Sequence, residues 1–160
     1  MIKKAKDLVN LCIKNNITIS AAESCTGGMF SSSIVSIPKS SAIFKFGLVT
    51  YSNVSKIKFL NIPNSILLNY GAVSKETAKL MVNNLLDLSK SNFCIAITGI
   101  AGPSGGTKIK PVGLVYHGFL FKGQKPIIIK RIYGGSRNVI RKSATIFCLE
   151  KSFSIIHSFV

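Results

Sequence analysis

The sequence has no tryptophan, only two histidines and only five acidic residues in 160 positions. With so few carboxylates and imidazoles, it offers little for a paired-carboxylate mechanism, a Ser-His triad or a metal centre. No wholly apolar run exceeds five residues, far short of the ~20 that a membrane-spanning helix needs. The four cysteines form no C-x-x-C pair, so they indicate neither a zinc site nor a disulfide framework. We therefore expect a globular protein without metal, cofactor or membrane span.

Positive charge is in large excess, since 21 Lys and Arg residues against five acids give a net charge of +16. A basic surface attracts nucleic acid, acidic lipid or small anions. Here the basic residues are scattered in runs of no more than two, and most are lysines, whose codons, like those of the abundant Ile and Asn, are A/T-rich. The excess of basic residues is thus better explained by an A/T-biased genome than by a polyanionic partner, and we expect no nucleic-acid ligand. A small anionic substrate fits either interpretation.

Helix-like and strand-like segments alternate along the chain. Helical periodicity covers residues 3–15, 29–37, 75–89 and 136–152, with two short helical pieces on either side of Pro63. Strand-like segments cover residues 17–22, 42–51, 93–97, 112–121 and 126–133, the last two forming a hairpin. This order predicts an α/β protein, a three-layer α/β/α sandwich whose mixed, mostly parallel sheet ends in an antiparallel hairpin. We expect residues 1–160 to form a single domain whose last ten residues match no recognisable pattern.

Two loops follow buried strands, at the sheet edge where α/β proteins usually bind ligands. The first, Ala-Glu-Ser-Cys-Thr-Gly-Gly at residues 22–28, opens a helix and can present Ser24 to a cleft beside backbone N–H groups. On the residues alone, a simpler interpretation is favoured, in which Ser24 or Thr26 is a helix N-cap. The second loop, residues 98–107, contains four glycines, whose backbone can approach an anion or an oxyanion closely.

A polar segment, Thr-Tyr-Ser-Asn-Val-Ser-Lys at residues 50–56, follows the strand between these loops. Lys56 can act as a general base toward a serine if burial or nearby cations lower its pKa, with Tyr51 either orienting it or relaying a proton. From the residues alone, however, Lys56 is one more solvated lysine. His117 falls in a predicted strand and His157 near a terminus, so neither supports a Ser-His triad. Ser-Lys chemistry and a binding site without catalysis both stay open.

Together these segments resemble the CinA C-terminal domain family. The similarity runs from about residue 3 to 150, and its motifs are residues 22–28, 50–56, 71–74, 97–107 and 110–113. The family name, competence/damage-inducible protein, describes regulation. The better-defined activity of the family is nicotinamide-nucleotide amidase, which converts nicotinamide mononucleotide into nicotinic acid mononucleotide and ammonia in pyridine-nucleotide recycling. The resemblance thus implies an amidohydrolase.

The resemblance also implies roles for individual residues. Ser24 would be the nucleophile, with Tyr51 and Lys56 as its catalytic partners. Substrate-binding roles are implied for Cys25, Thr26, Gly27, Thr98, Gly99 and Arg137. Residues 134–137 resemble the family's Gly-Asp-Arg at the start of the last helix, which makes Arg137 the candidate for the substrate phosphate. The sequence departs from the family pattern at Ile109, where an acidic residue is frequent, and at Ser136, which replaces the Asp of that motif.

Further expectations concern partners and location. The resemblance implies a small anionic nucleotide as substrate and a homo-oligomer of two or more copies. No signal-peptide pattern is visible, so a reduced cytoplasm is expected, and the phosphohydrolase domain that precedes this one in many relatives has no counterpart, which predicts a stand-alone form. Two alternatives stay open: a catalytically silent nucleotide-binding or regulatory domain, and a nucleic-acid-binding module suggested by charge alone.

Overall fold

The fold is built on a five-stranded mixed sheet in a computed structural model that describes all 160 residues. The strands are β1 (Ile19–Glu23), β2 (Phe44–Val49), β3 (Phe93–Gly99), β4 (Leu114–Phe121) and β5 (Ile127–Ile132). Their order across the sheet is β2-β1-β3-β4-β5. β1 pairs in parallel with β2 and β3, whereas β4 is antiparallel to both β3 and β5. Only β4 therefore runs against the other four strands.

Six α-helices cover the two faces of the sheet. They are α1 (Ile2–Lys14), α2 (Met29–Val35), α3 (Asn53–Leu60), α4 (Asn64–Tyr70), α5 (Lys75–Ser89) and α6 (Arg137–His157). The buried apolar side chains form two hydrophobic cores of different size. α1, α2 and α6 pack together over the larger core, while α3 and α4 pack on α5 over the smaller one. The predicted three-layer α/β/α sandwich is confirmed. None of the helices combines the length and the apolar character that crossing a bilayer requires.

Most element boundaries lie within two residues of the sequence prediction, and two differences have a clear structural reason. The expected helix end at Ser152 is wrong, because α6 continues to His157 and buries Ile155 and Ile156 in the larger core. Most of the last ten residues therefore belong to this helix. The second strand is shorter than predicted, because residues 40–42 form a 3₁₀ turn before β2 begins. The prediction for α5 is confirmed at both ends, and Ser74 caps it by accepting a hydrogen bond from the N–H of Thr77 at 3.1 Å.

The parallel strands place three sequence motifs side by side. Glu23, the last residue of β1, pairs with Val49 of β2 and with Ile97 of β3. Two backbone hydrogen bonds continue this pairing just past the strand ends. The N–H of Ser24 donates to the carbonyl of Ile97 at 2.9 Å, and the N–H of Thr50 donates to the carbonyl of Glu23 at 2.8 Å. The segments that follow β1, β2 and β3 therefore leave the sheet at one edge.

Two glycines in similar conformations provide a test of the hairpin. Gly113 has φ +91° and Gly123 has φ +82°, but a Cβ at Gly113 would overlap the carbonyl oxygen of Tyr133, whereas one at Gly123 meets nothing within 4 Å. We expect Gly123→Ala to cost about 1–2 kcal/mol through its positive φ. Gly113→Ala should cost a further ~1–3 kcal/mol through the overlap. Urea unfolding of both variants measures the difference, and equal losses would contradict the close approach at Tyr133.

Candidate active site

Ser24 stands directly after β1, in the turn that leads into α2. The residue is buried, with 7% of its surface exposed. The turn closes through Gly27 and Gly28, at φ +60° and +89°, which glycine adopts without the strain that a side chain would bring. Gly28 is the N-cap of α2, so the N-cap residue of this helix provides no side-chain hydrogen bond. The interpretation of Ser24 or Thr26 as the N-cap is therefore wrong, and the Ser24 hydroxyl is free for another role.

Glu23 takes over the capping of α2 from inside the sheet. Its carboxylate is fully buried and accepts hydrogen bonds from the backbone N–H groups of Gly28 at 3.1 Å, Phe30 at 3.1 Å and Ser31 at 2.8 Å. The Ser31 hydroxyl donates a fourth bond at 2.6 Å. The positive end of the helix dipole favours a carboxylate in this position. Glu23 thus holds the turn that presents Ser24, a role that sequence reasoning missed.

Lys56 reaches Ser24 from α3. Although it is a lysine, only 1% of its surface is exposed. Its Nζ lies 3.1 Å from the Oγ of Ser24 and donates a hydrogen bond to the carbonyl of Thr50 at 2.6 Å. Burial lowers the pKa of the Lys56 ammonium to about 8, because desolvation disfavours its charged form. The interpretation of Lys56 as a solvated lysine is therefore wrong, and its neutral amine is accessible close to neutral pH.

A cleft of about 240 Å³ opens above these two residues. Its walls come from the ends of the three parallel strands, from α3, from the segment before α5 and from the start of α6. They are formed by Ser24, Cys25, Tyr51, Lys56, Ala72, Val73, Thr98, Gly99, Ala101 and Arg137. Seven of the predicted site residues are thereby brought together. The other two, Thr26 and Gly27, are not among the wall residues; Thr26 is buried and Gly27 is exposed.

Arg137 and Tyr51 form the mouth of the cleft. Tyr51 is 61% exposed, and its hydroxyl accepts a hydrogen bond from Nη2 of Arg137 at 3.0 Å. Nη1 of Arg137 donates to the carbonyl of Gly102 at 2.7 Å. Arg137 therefore joins the segment after β2 to the glycine-rich loop after β3. The Tyr51 hydroxyl makes no hydrogen bond to Ser24 or Lys56.

The remaining wall residues are committed to packing and backbone contacts. The Thr98 hydroxyl donates to the carbonyl of Ala72 at 2.7 Å, which fixes residues 71–74 against the cleft. A Cβ at Gly99 would lie 2.7 Å from the carbonyl oxygen of Leu114, so only glycine fits there. Burial raises the pKa of the Cys25 thiol to about 12, which keeps it protonated. Ser24 is therefore the only strong candidate for a nucleophile in the cleft.

A second arginine lies behind the turn. Arg141 donates from Nε to the carbonyl of Cys25 at 3.1 Å and from Nη2 to the carbonyl of Thr26 at 2.7 Å. Sequence reasoning missed this residue. The available signal was its spacing from Arg137, because residues four apart lie on the same face of a helix.

The buried histidine belongs to a different part of the molecule. His117 lies in β4 between the Tyr133 hydroxyl at 3.0 Å and the Cys148 sulfur at 3.1 Å. Burial is the main cause that lowers the pKa of His117 to about 3, and the positive charge of Arg131 is the second. It is not among the residues that line the cleft. No group of three or more His, Cys, Asp and Glu side chains is placed to hold a metal ion.

The fold and the site define an α/β/α protein with a buried Ser-Lys pair at the carboxyl edge of its parallel strands. The model of the CinA C-terminal domain matches residues 2–155, and the chain belongs to that family. A CinA-like protein from Petrotoga mobilis is 46% identical over 140 residues, and one from Endomicrobium trichonymphae is 52% identical over 132 residues. These matches cover 88% and 82% of this chain. They cover 34% and 31% of the relatives, so the chain spans about a third of their length.

Solved structures of the same family share the whole fold. A competence-damaged protein (CinA) superfamily protein from Klebsiella pneumoniae superposes with a TM-score of 0.93 at 25% identity, over 98% of each chain. The competence/damage inducible protein CihA from Agrobacterium tumefaciens gives a TM-score of 0.93 at 35% identity, over 96% of this chain and 94% of that one. These names describe regulation and leave the reaction to be argued from the site.

The buried amine makes the stability of the fold depend on pH. Because the pKa of Lys56 is lowered to about 8 in the folded protein, the unfolded chain binds this proton more tightly, and stability rises as the pH increases from about 8 to 10.5. Relative to Lys56→Met, the free energy of unfolding of the native chain should increase by roughly 1–2 kcal/mol between pH 7 and 9.5. Urea unfolding at both pH values measures this increase.

Lys58 provides the matched control, because it lies two residues further along α3 and is exposed. The difference in the free energy of unfolding between the native chain and Lys58→Met should therefore stay constant between pH 7 and 9.5. If the Lys56→Met comparison were equally flat, the buried amine would not have a lowered pKa.

Proposed function

We propose that this protein is an amidase that hydrolyses the carboxamide of nicotinamide mononucleotide to nicotinic acid mononucleotide and ammonia. The observation that carries the proposal is the 3.1 Å contact between Nζ of the buried Lys56 and Oγ of Ser24. A serine becomes a good nucleophile when an adjacent base accepts its proton, and a desolvated lysine is such a base. The family resemblance supports the same pair of residues and supplies the substrate.

The reaction begins with proton transfer within this pair. The neutral amine of Lys56 accepts the hydroxyl proton while Oγ attacks the carboxamide carbon. With a pKa of about 8, roughly one amine in ten is neutral at pH 7. The hydrogen bond from Nζ to the carbonyl of Thr50 uses an N–H of the amine, which leaves the lone pair available toward Ser24.

The attack places negative charge on the former carbonyl oxygen. The backbone N–H groups of Cys25 and Thr26 follow Ser24 directly, and neither donates a hydrogen bond to a backbone carbonyl. They are the natural donors to this oxyanion, and removing one such donor typically costs ~3–4 kcal/mol of transition-state stabilisation.

Collapse of the intermediate breaks the C–N bond. The Lys56 ammonium gives its proton to the departing nitrogen, which leaves as ammonia, and an ester of nicotinic acid mononucleotide stays on Ser24. Water then attacks this ester, with Lys56 accepting a proton from the water and returning it to Oγ. Both half-reactions use the same base, and neither needs a metal.

Recognition of the nucleotide is assigned to the mouth of the cleft. Arg137 stands at the N-terminus of α6, whose N-cap Ser136 makes no side-chain capping bond. An arginine at a helix N-terminus is well suited to a phosphate, because the guanidinium and the backbone N–H groups both donate to its oxygens. The contact of Tyr51 with Arg137 supports a role for Tyr51 in placing the substrate. The net charge of +16 is compatible with an anionic ligand.

Removal of the nucleophile tests the proposal directly. In metal-free buffer, we expect the native protein to release ammonia from nicotinamide mononucleotide and Ser24→Ala to lower the rate by ~10³-fold or more. Ser65→Ala, at an exposed serine of α4, is the matched control and should retain the native rate. A native rate in Ser24→Ala would exclude Ser24 as nucleophile. Binding of the nucleotide without turnover would replace the amidase by a silent nucleotide-binding domain.

The pH dependence of the reaction should follow Lys56. The base must be neutral, so kcat/KM is expected to rise with pH and to level off above a midpoint near 8. Lys56→Met should remove this activity, whereas Lys58→Met should keep both the rate and the midpoint. A kcat/KM that is flat or falling between pH 6 and 9 would argue against a lysine base.

A further inference from the structure

Arg141 has no part in the mechanism above, yet two hydrogen bonds from its side chain hold the backbone of the Ser24 turn. It is half-buried on α6 and holds two successive carbonyls, those of Cys25 and Thr26, through two different nitrogens. The Cys25 carbonyl has no other hydrogen-bond partner. Arg141 itself is not among the residues that line the cleft.

The geometry of the peptide bond transmits this contact to the cleft. A trans peptide is planar, with its N–H directed opposite to its C=O. The carbonyl of Cys25 and the N–H of Thr26 belong to one peptide, so holding the carbonyl against α6 turns the N–H of Thr26 the other way. The next peptide is fixed as well, because the N–H of Gly27 donates to the carbonyl of Ser24 at 3.0 Å.

Two further features fit this arrangement. A Cβ at Gly27 would lie 3.2 Å from Nη2 of Arg141, so the glycine leaves room for the guanidinium. In addition, a permanent positive charge on the carbonyl side polarises the Cys25–Thr26 peptide and makes its N–H a stronger donor. A planar guanidinium donates to the two carbonyls from two nitrogens in a fixed geometry, whereas an ammonium presents its three donors from a single nitrogen on a flexible stem.

We propose that Arg141 is a positioning residue that aims the N–H of Thr26 at the oxyanion formed on Ser24. This inference rests on the proposed function, because it concerns an intermediate of an acyl-transfer reaction at Ser24. Arg141 acts only through the backbone of the turn, so its loss affects the transition state and leaves substrate binding in place.

Steady-state kinetics with nicotinamide mononucleotide tests this role. Arg141→Lys, which keeps the stem and the charge, and Arg141→Gln should lower kcat by ~10–10³-fold while KM changes less than about threefold. The midpoint of the pH profile, which belongs to Lys56, should stay near 8. Lys142→Met, at the exposed neighbouring position, is the control and should keep the native kcat. A kcat within threefold of native in Arg141→Lys, or a loss confined to KM, would overturn the proposal.

A second reaction separates this inference from the choice of substrate. An alkyl phosphonofluoridate labels an activated serine: Oγ forms a bond to phosphorus, the P–F bond breaks, fluoride leaves and Lys56 takes the hydroxyl proton. The developing charge on the phosphoryl oxygen needs the same donors. Intact-mass measurements should find native protein labelled at Ser24, Ser24→Ala unlabelled and Arg141→Lys labelled at least ~10-fold more slowly, with its thermal unfolding recorded in parallel.

The two experiments fail in different ways. If nicotinamide mononucleotide is not hydrolysed but labelling of Ser24 slows in Arg141→Lys, the proposed function is wrong and the role of Arg141 stands. If the nucleotide is hydrolysed and a folded Arg141→Lys matches the native protein in kcat and in labelling rate, the function stands and the role of Arg141 is wrong. Native protein that shows neither reaction would refute both.

Discussion

The amine of Lys56, held out of water against the hydroxyl of Ser24, is the interaction on which the rest of the site depends. Desolvation lowers its pKa to about 8 and so makes a general base from a residue that is otherwise charged at neutral pH. The same burial opposes folding whenever the amine is protonated. Such local instability is typical of functional sites, and the surrounding sheet and helices must hold the two residues together against it.

Charged side chains of the active-site turn act mainly by fixing the backbone. Glu23 holds the start of α2 from within the sheet, and Arg141 holds the carbonyls of Cys25 and Thr26 from α6. Between these two contacts the turn has little freedom, which suits a loop whose backbone N–H groups must meet a developing charge without rearranging. Of the few acidic residues in the chain, one is thus used to build the site rather than to react in it.

Local patterns predicted the architecture well and the site only in part. Helix α5 was readable from its 3.6-residue period and from Ser74, and the hairpin from two alternating runs around a polar turn. The burial of Lys56 was not readable, because it results from the packing of α3 against strand ends that are distant in sequence, and it took the family resemblance to single this lysine out. The extension of α6 to His157 was missed for a similar reason, since its last turns are stabilised by tertiary contacts.

The most direct test of the account is the pKa of Lys56 itself. Carbon-13 labelling of the lysine Cε atoms, with the Lys56 resonance assigned by its absence from Lys56→Met, allows this pKa to be measured by NMR in the native protein. The account predicts titration near pH 8, well separated from the surface lysines. Titration of Lys56 near the ordinary lysine value of about 10.4 would contradict it, because the amine would then be charged throughout the range in which it must accept the proton of Ser24.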